Sequence, residues 1–153
     1  MMNVSNSIWS KMSRVLFVME YTTMEDLKSY RDAVKSAGLN IHDCTILAIV
    51  KTKKEKNVLA EQYNVVFISD QEFNLVGRLR NEEAKNIALR SYDMILYSSD
   101  VSRRITKLLV KTKKKMSIGV NCTMSEQTIN LKTEVNTPSH LINFTKQTLE
   151  KLI

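Results

Sequence analysis

The sequence predicts a single three-layer α/β domain, Rossmann-like or flavodoxin-like, with about five parallel strands and one antiparallel edge strand. Short apolar runs of strand length alternate along the 153 residues with amphipathic segments of helix length. Such alternation gives right-handed crossovers and a mostly parallel sheet that helices cover on both faces. The chain is 43% hydrophobic and has no apolar run long enough for a membrane span, so it can bury a core of its own.

Two regions are expected. No repeat, low-complexity stretch or linker divides residues 13–153, which predicts one α/β domain there. Residues 1–12 place Ile8, Trp9 and Met12 near one face of a short helix. This segment is therefore predicted to be an N-terminal arm or a short amphipathic helix.

Six segments are expected to form the sheet. Five are short apolar runs, which are typical of strands buried on both faces. A sixth segment alternates apolar and polar residues, which suits an edge strand with one solvated face. The five buried strands are predicted at residues 14–19, 45–50, 64–69, 93–98 and 117–120, and the edge strand at residues 128–135.

Capping residues indicate where the first helices begin. Thr23 precedes two acidic residues and an apolar stripe that ends at Gly38, which predicts the first helix over residues 24–37. A short helix is expected at residues 56–63. Asn81 precedes another acidic turn and is expected to cap the next helix.

The last two helices are predicted from the same kind of signal. Ser99 or Asp100 is expected to cap a helix that ends in the lysine run 111–115, because cations stabilise a helix C-terminus. Thr137 and Pro138 are expected to begin the final helix, since proline is favoured at the first helical position.

The net charge of +7 is confined to the middle of the chain. Residues 51–115 hold fifteen basic and eight acidic side chains, whereas the segments on either side are each neutral. Clustered cations raise the local potential and indicate an anionic partner. The alternative is a lysine-rich surface that only keeps the protein soluble.

The motifs of several enzyme and cofactor classes are absent. No glycine lies in the first loop, residues 20–23, and neither dinucleotide-binding nor P-loop glycine patterns occur anywhere. Cys44 and Cys122 form no metal or redox motif, and His42 and His140 have no motif partner. We therefore predict no catalytic residue, no cofactor and no metal. The N-terminus lacks a secretory pattern, which favours a cytoplasmic location.

The leading hypothesis is a non-enzymatic cytoplasmic protein that contacts RNA, a ribonucleoprotein or an acidic protein surface. Lysines of the run 51–56 follow a strand and should lie at the carboxyl ends of the strands. Those of the run 111–115 precede a strand and should lie at the opposite edge. The predicted anion-binding residues are Lys51, Lys53, Lys54, Lys56, Arg103, Arg104, Lys107, Lys113, Lys114 and Lys115.

Two further hypotheses stay open. One is an enzyme or binder of a phosphorylated or nucleotide-like ligand at the carboxyl ends of the strands, with Thr22, Thr23, Ser98 and Ser99 as ligand-binding residues. The other is a subunit of a protein assembly that docks through residues 1–12. The sequence leaves the oligomeric state open.

Three segments carry a resemblance to a known family. They are DQEFNLVG at residues 70–77, YDMILY at residues 92–97, and NLKTEV at residues 130–135 before a final helix. Over residues 13–153 the chain resembles a family of small α/β proteins of the Bacteroidota, a domain of unknown function. Members often begin with a longer basic segment, which here is short and nearly neutral. The resemblance implies the fold and a cytoplasmic location, and it implies no activity.

Overall fold

Six strands form one parallel sheet in this computed structural model, which describes residues 9, 12–39, 43–123, 129–134 and 137–151. The order β3-β2-β1-β4-β5-β6 is that of doubly wound α/β sheets. The predicted class and the parallel arrangement are confirmed. The strands are β1 (Val15–Glu20), β2 (Cys44–Val50), β3 (Val65–Ser69), β4 (Ser91–Tyr97), β5 (Lys113–Val120) and β6 (Ile129–Leu131).

The prediction of an antiparallel edge strand is wrong. Strand β6 lies parallel to β5, with Ile118 opposite Ile129 and Val120 opposite Leu131. The alternation of apolar and polar residues indicates one solvated face and is the same for either strand direction. Strand β6 pairs only with the last three residues of β5. The chain therefore has to run back over only that short length before β6 begins, and the connection between the two strands has enough residues to span it.

Within the described ranges, four helices and one 3₁₀ turn lie between the strands, and a fifth helix follows the last strand. The capping side chains at the N-termini of α1, α3 and α5 are Thr23, Asn81 and Thr137, as predicted; each accepts a hydrogen bond from a backbone N–H of the first turn. The helices are α1 (Met24–Ser36), α2 (Lys53–Asn57), α3 (Glu82–Ala88), α4 (Arg103–Val110) and α5 (Pro138–Glu150), and the 3₁₀ turn is Asp70–Glu72.

Several boundaries differ from the predictions, and three of them concern α2 and the two ends of α4. Helix α2 begins after Thr52, whose hydroxyl caps it, and so lies earlier than residues 56–63. The cap of α4 is Ser102, because the carboxylate of Asp100 instead accepts hydrogen bonds from the backbone and hydroxyl of Thr123. Residues of the lysine run 111–115 begin β5 and do not extend α4.

Two apolar clusters lie on opposite faces of the sheet. Phe17 of β1 packs on one face beneath α1 and α5, whereas its neighbours Leu16 and Val18 pack on the other face with α3 and α4. This two-sided burial explains why the central strands read as continuous apolar runs. Trp9 joins the first cluster and donates its indole N–H to the carbonyl of Ala37, 2.9 Å away. None of the described helices has the length and apolar character needed to cross a membrane.

Candidate anion-binding surface

Two groups of predicted site residues, the lysines after β2 and the serines after β4, lie at the same edge of the sheet. This is the edge where the parallel strands have their carboxyl ends. Lys51 follows β2 and Ser98 follows β4, and both strands run in the same direction. This common edge is the one expected for a doubly wound sheet, where ligands lie beyond the carboxyl ends of the strands.

Hydrogen bonds join the segments of this edge. The backbone N–H of Lys53 donates to Oε1 of Gln71 over 2.9 Å, which ties α2 to the 3₁₀ turn. The hydroxyl of Ser102 donates to Oδ1 of Asp70 over 2.6 Å, which ties the same turn to the start of α4. The lysines of α2 and the arginines of α4 therefore belong to one continuous border.

We call this border the basic rim. Its six cationic side chains are all exposed, and none has a carboxylate partner within 4.0 Å among the described residues. Arg103, Arg104 and Lys107 surround a shallow depression that also contains Asp70 and Ser102. The basic rim consists of Lys51, Lys53, Lys54, Arg103, Arg104 and Lys107.

Lys56 has a structural role instead. Its Nζ atom lies 2.9 Å from Oε2 of Glu72, a side chain that is only 6% exposed. The other carboxylate oxygen accepts hydrogen bonds from the backbone of Ser69 and the amide of Asn81, at 2.8 and 3.1 Å. Lys56 therefore compensates a buried negative charge, which reduces its availability to a partner.

Lys113, Lys114 and Lys115 lie at the opposite edge, as the sequence predicts. Strand β5 separates them from the carboxyl edge by on the order of 20 Å, at about 3.3 Å per residue. The predicted set of ten cations is therefore divided between two edges of the sheet and does not form one patch.

Two of these three lysines also have local partners. The Nζ atom of Lys114 donates to the carbonyls of Leu109, Val110 and Thr112 at 3.0 to 3.1 Å, which stabilises the C-terminus of α4. Burial lowers the pKa of Lys114. Lys115 lies 3.2 Å from Asp93, measured from Nζ to Oδ1.

A second candidate site lies where the strand order reverses, between β1 and β4. Thr22, Ser98 and Ser99 line an open cleft of about 490 Å³ together with residues of α5. Thr23 is not part of its lining, because its hydroxyl accepts the hydrogen bond that caps α1. Three of the four predicted ligand-binding residues are therefore brought together.

Hydroxyls and carboxylates dominate the polar lining of this cleft. The hydroxyl of Thr22 donates to the Asp26 carboxylate, and Ser98 shares a hydrogen bond with the phenol of Tyr30, whose pKa is raised by burial. Oγ of Ser99 is buried and has no hydrogen-bond partner within the described part of the chain. Glu20 adds a second carboxylate, and no lysine or arginine is among the described residues that line the cleft. This charge distribution disfavours a phosphate group.

A groove that the sequence did not predict lies beside the basic rim. Residues 73–79 form a small hairpin, closed by a bridge between Phe73 and Leu79, and a groove of about 480 Å³ separates this hairpin from α4. The signal for it was the pair Leu75 and Val76 next to Gly77, in a loop that also carries Phe73 and Leu79. The lining comprises Phe73, Leu75, Val76, Gly77, Leu79, Arg104, Lys107, Leu108 and Lys111.

Three aromatic residues near the loops at the carboxyl edge, Tyr21, Tyr63 and Phe73, are the candidates for stacking on RNA bases, and they differ in exposure. Tyr21 is buried and packs edge-to-face against Phe67 with ring centroids 5.7 Å apart. Tyr63 is exposed, and Phe73 is half-buried in the groove. The basic rim, as defined by its six residues, contains no aromatic side chain.

The remaining reactive groups are separate from one another. Burial raises the pKa of Cys44 to about 12 and that of Cys122 to about 11, and both are free thiols. His140 shares a hydrogen bond with Thr133, whereas His42 lies outside the described residues. No group of three or more metal-ligating His, Cys, Asp or Glu side chains occurs in the described ranges.

Comparison with known proteins identifies a family without assigning a role. The model of a family of unknown function matches residues 1–153. This match confirms the expected kinship with a domain of unknown function. No curated protein matches the chain.

Proposed function

The chain belongs to this family, DUF6913, and we propose that it is a non-enzymatic protein that binds an anionic macromolecule through the basic rim. The observation that carries the proposal is the set of six exposed cations, without carboxylate partners among the described residues, on three connected segments of one edge. Clustered, unpaired cations attract polyanions over a distance of about one Debye length, roughly 8–10 Å in physiological salt.

The proposal covers only part of the predicted cation set. Lys56 and Lys114 already compensate a buried carboxylate and a helix C-terminus, so they contribute little free charge to a partner. Lys113 and Lys115 lie at the other edge of the sheet. A polyanion that binds the rim therefore does not need to reach them. We further propose that the protein works in the cytoplasm, where its two free cysteines stay reduced.

The test compares two variants of equal net charge. Arg103→Gln, Arg104→Gln and Lys107→Gln together remove three rim cations, whereas Lys28→Gln, Lys35→Gln and Lys113→Gln remove three cations elsewhere. Binding of labelled poly(U) and of polyglutamate is measured by fluorescence anisotropy over a range of salt concentrations.

The rim variant is expected to bind both polyanions more weakly. Its logarithmic salt slope for the single-stranded RNA should fall by about 2, at roughly 0.7 per lost phosphate contact. The control variant should retain the slope of the unmodified protein. Equal losses in the two variants would show that only net charge matters and would contradict a binding site on the rim.

A small-ligand site in the cleft is the second candidate function. The buried hydroxyl of Ser99, unpartnered within the described residues, supports it, and the acidic lining favours neutral or cationic ligands over phosphorylated ones. A thermal-shift comparison of nucleosides, polyamines and nucleotides tests this alternative. Stabilisation by a nucleoside or a polyamine that disappears in Ser99→Val would support it, and the absence of any shift would count against it.

A further inference from the structure

We propose that the groove between the hairpin 73–79 and α4 binds an acidic protein segment that carries a large aliphatic or aromatic side chain. This inference rests on the proposed function, because Arg104 and Lys107 belong both to the basic rim and to the groove. Beyond the proposed function, the inference names the chemical class of the partner. The acidic groups would contact the cations of α4, and the apolar side chain would contact the tip of the hairpin.

The hairpin tip presents two aliphatic side chains to solvent in a fixed position. Leu75 is fully exposed and Val76 is 84% exposed. Asn74 holds the turn, since its Oδ1 accepts hydrogen bonds from the backbone N–H groups of Val76 and Arg78 at 3.0 and 2.9 Å. Gly77 completes the turn at a φ of 83°, a conformation that favours glycine.

The base of the hairpin is anchored in the domain. Leu79 is 5% exposed and packs in the apolar cluster under α3 and α4. The backbone N–H of Arg80 donates to the carbonyl of Glu72 over 2.9 Å, and Glu72 is itself buried. The two exposed aliphatic side chains are therefore held by an ordered support, so a partner would bury them without first having to order the loop.

The charges around the groove are of one sign. Arg104, Lys107 and Lys111 follow one another at intervals of three and four residues, which places them along one side of α4. All three are exposed, and no carboxylate is among the described residues that line the groove. The half-buried Leu108 adds apolar surface between them. The groove therefore complements a segment that combines negative charge with an apolar side chain.

The shape and composition of the groove favour an acidic protein segment over RNA or a membrane. Single-stranded RNA binds to exposed aromatic platforms, and the one aromatic side chain in the described lining is the half-buried Phe73. A lipid surface would accept the hairpin tip but would not enter a concave groove. A volume of about 480 Å³ suits one or two large side chains.

The test uses the whole 153-residue chain and two labelled peptides of equal charge. One peptide is glutamate-rich and carries two leucines, and its match has alanine at those two positions. Poly(U) and vesicles of anionic phospholipid are the competing probes. The groove variant Leu75→Ser with Val76→Ser is compared with the control variant Val58→Ser with Leu89→Ser, which replaces one valine and one leucine of similar exposure outside the groove.

We expect the unmodified protein to bind the leucine peptide at least about tenfold more tightly than the alanine peptide, from the burial of apolar side chains. The groove variant should lose this preference while its weaker binding of the alanine peptide is unchanged. The control variant should retain the preference.

Other outcomes separate the two proposals. One outcome is that Arg104→Gln with Lys107→Gln weakens poly(U) binding while the groove variant keeps the unmodified protein's affinities for both peptides. That outcome would support binding at the basic rim and overturn the groove inference. Binding of vesicles that is lost in the groove variant, without any preference between peptides, would identify a membrane partner and also overturn it. If no polyanion binds even at low salt, both proposals fail.

Discussion

Replacing Asp93 by asparagine should destabilise the protein in a pH-dependent way. Asp93 lies in β4, where Oδ2 accepts hydrogen bonds from the backbone N–H groups of Ser13 and Arg14 at 2.8 and 3.1 Å, and from the hydroxyl of Ser13. The other oxygen faces Lys115. The amide of the Asp93→Asn variant would keep one oxygen that can accept the hydrogen bonds from Ser13 and Arg14, but it would carry no negative charge, so these bonds would weaken and the ion pair with Lys115 would be lost.

The pKa of Asp93 sets the size of this effect. Burial alone would raise it, but the hydrogen bonds from Ser13 and Arg14 and the contact with Lys115 outweigh burial and lower the pKa from 3.8 to about 2. At about 1.4 kcal/mol per pKa unit this difference corresponds to about 2.5 kcal/mol at most. The carboxylate is 19% exposed, and solvent screening reduces the expected contribution to about 1–2 kcal/mol.

The direction of the pH dependence follows from the lowered pKa. The carboxylate is favoured in the folded state, so its contribution is fully present above the unfolded pKa near 3.8 and is lost as the pH falls through about 2. Urea unfolding of the unmodified protein and of the Asp93→Asn variant should therefore give free energies of unfolding that differ by about 1–2 kcal/mol at neutral pH. This corresponds to roughly 2–8 °C in Tm. The difference should shrink as the pH falls below about 4.

The variant Lys115→Gln is the control for Asp93→Asn. Lys115→Gln removes only the ion pair between Asp93 and a lysine side chain that is 82% exposed. It should lower the free energy of unfolding by less than about 0.5 kcal/mol. A difference between Asp93→Asn and the unmodified protein that stays constant from neutral to acidic pH would show that the carboxylate charge is not the cause, and would refute the reasoning.

Two further predictions concern groups that we place outside any binding site. Lys56→Gln should lower the free energy of unfolding by about 1–3 kcal/mol in a urea titration, because it leaves the buried Glu72 carboxylate without its cation. Lys53→Gln, at an exposed lysine, is the control and should change the free energy of unfolding by less than about 0.5 kcal/mol. Equal effects would contradict the structural role of Lys56 as the cation that compensates Glu72. Cys44 and Cys122 should resist iodoacetamide in the native protein at neutral pH, since burial raises both pKa values and keeps the thiols protonated; mass spectrometry should detect labelling only after unfolding in urea. Rapid labelling of the native protein would show that a thiol is accessible.

Local sequence patterns were sufficient to predict most of the secondary structure. The apolar run at residues 64–69 corresponds to β3 (Val65–Ser69), and Thr23 caps α1 as expected. These features depend on the residues' own neighbours: a strand buried on both faces must be apolar throughout, and a helix N-terminus needs a nearby oxygen acceptor.

The candidate site was predicted only in part. The placement of Lys51 and the lysines of β5 at opposite edges followed from the alternation of strands and helices, because parallel strands all end at the same edge. The partners of Lys56 and Lys114 did not follow from it, since an ion pair with Glu72 and contacts with three carbonyls depend on how separate segments pack.

By itself the sequence determined an α/β chain of parallel strands with its positive charge in the middle, because hydrophobic periodicity, caps and charge are properties of neighbouring residues. The tertiary structure alone decided the order of the strands, the parallel direction of β6 and the meeting of the hairpin 73–79 with α4. Those features arise from contacts between residues far apart in the chain, and a local pattern is compatible with several such arrangements.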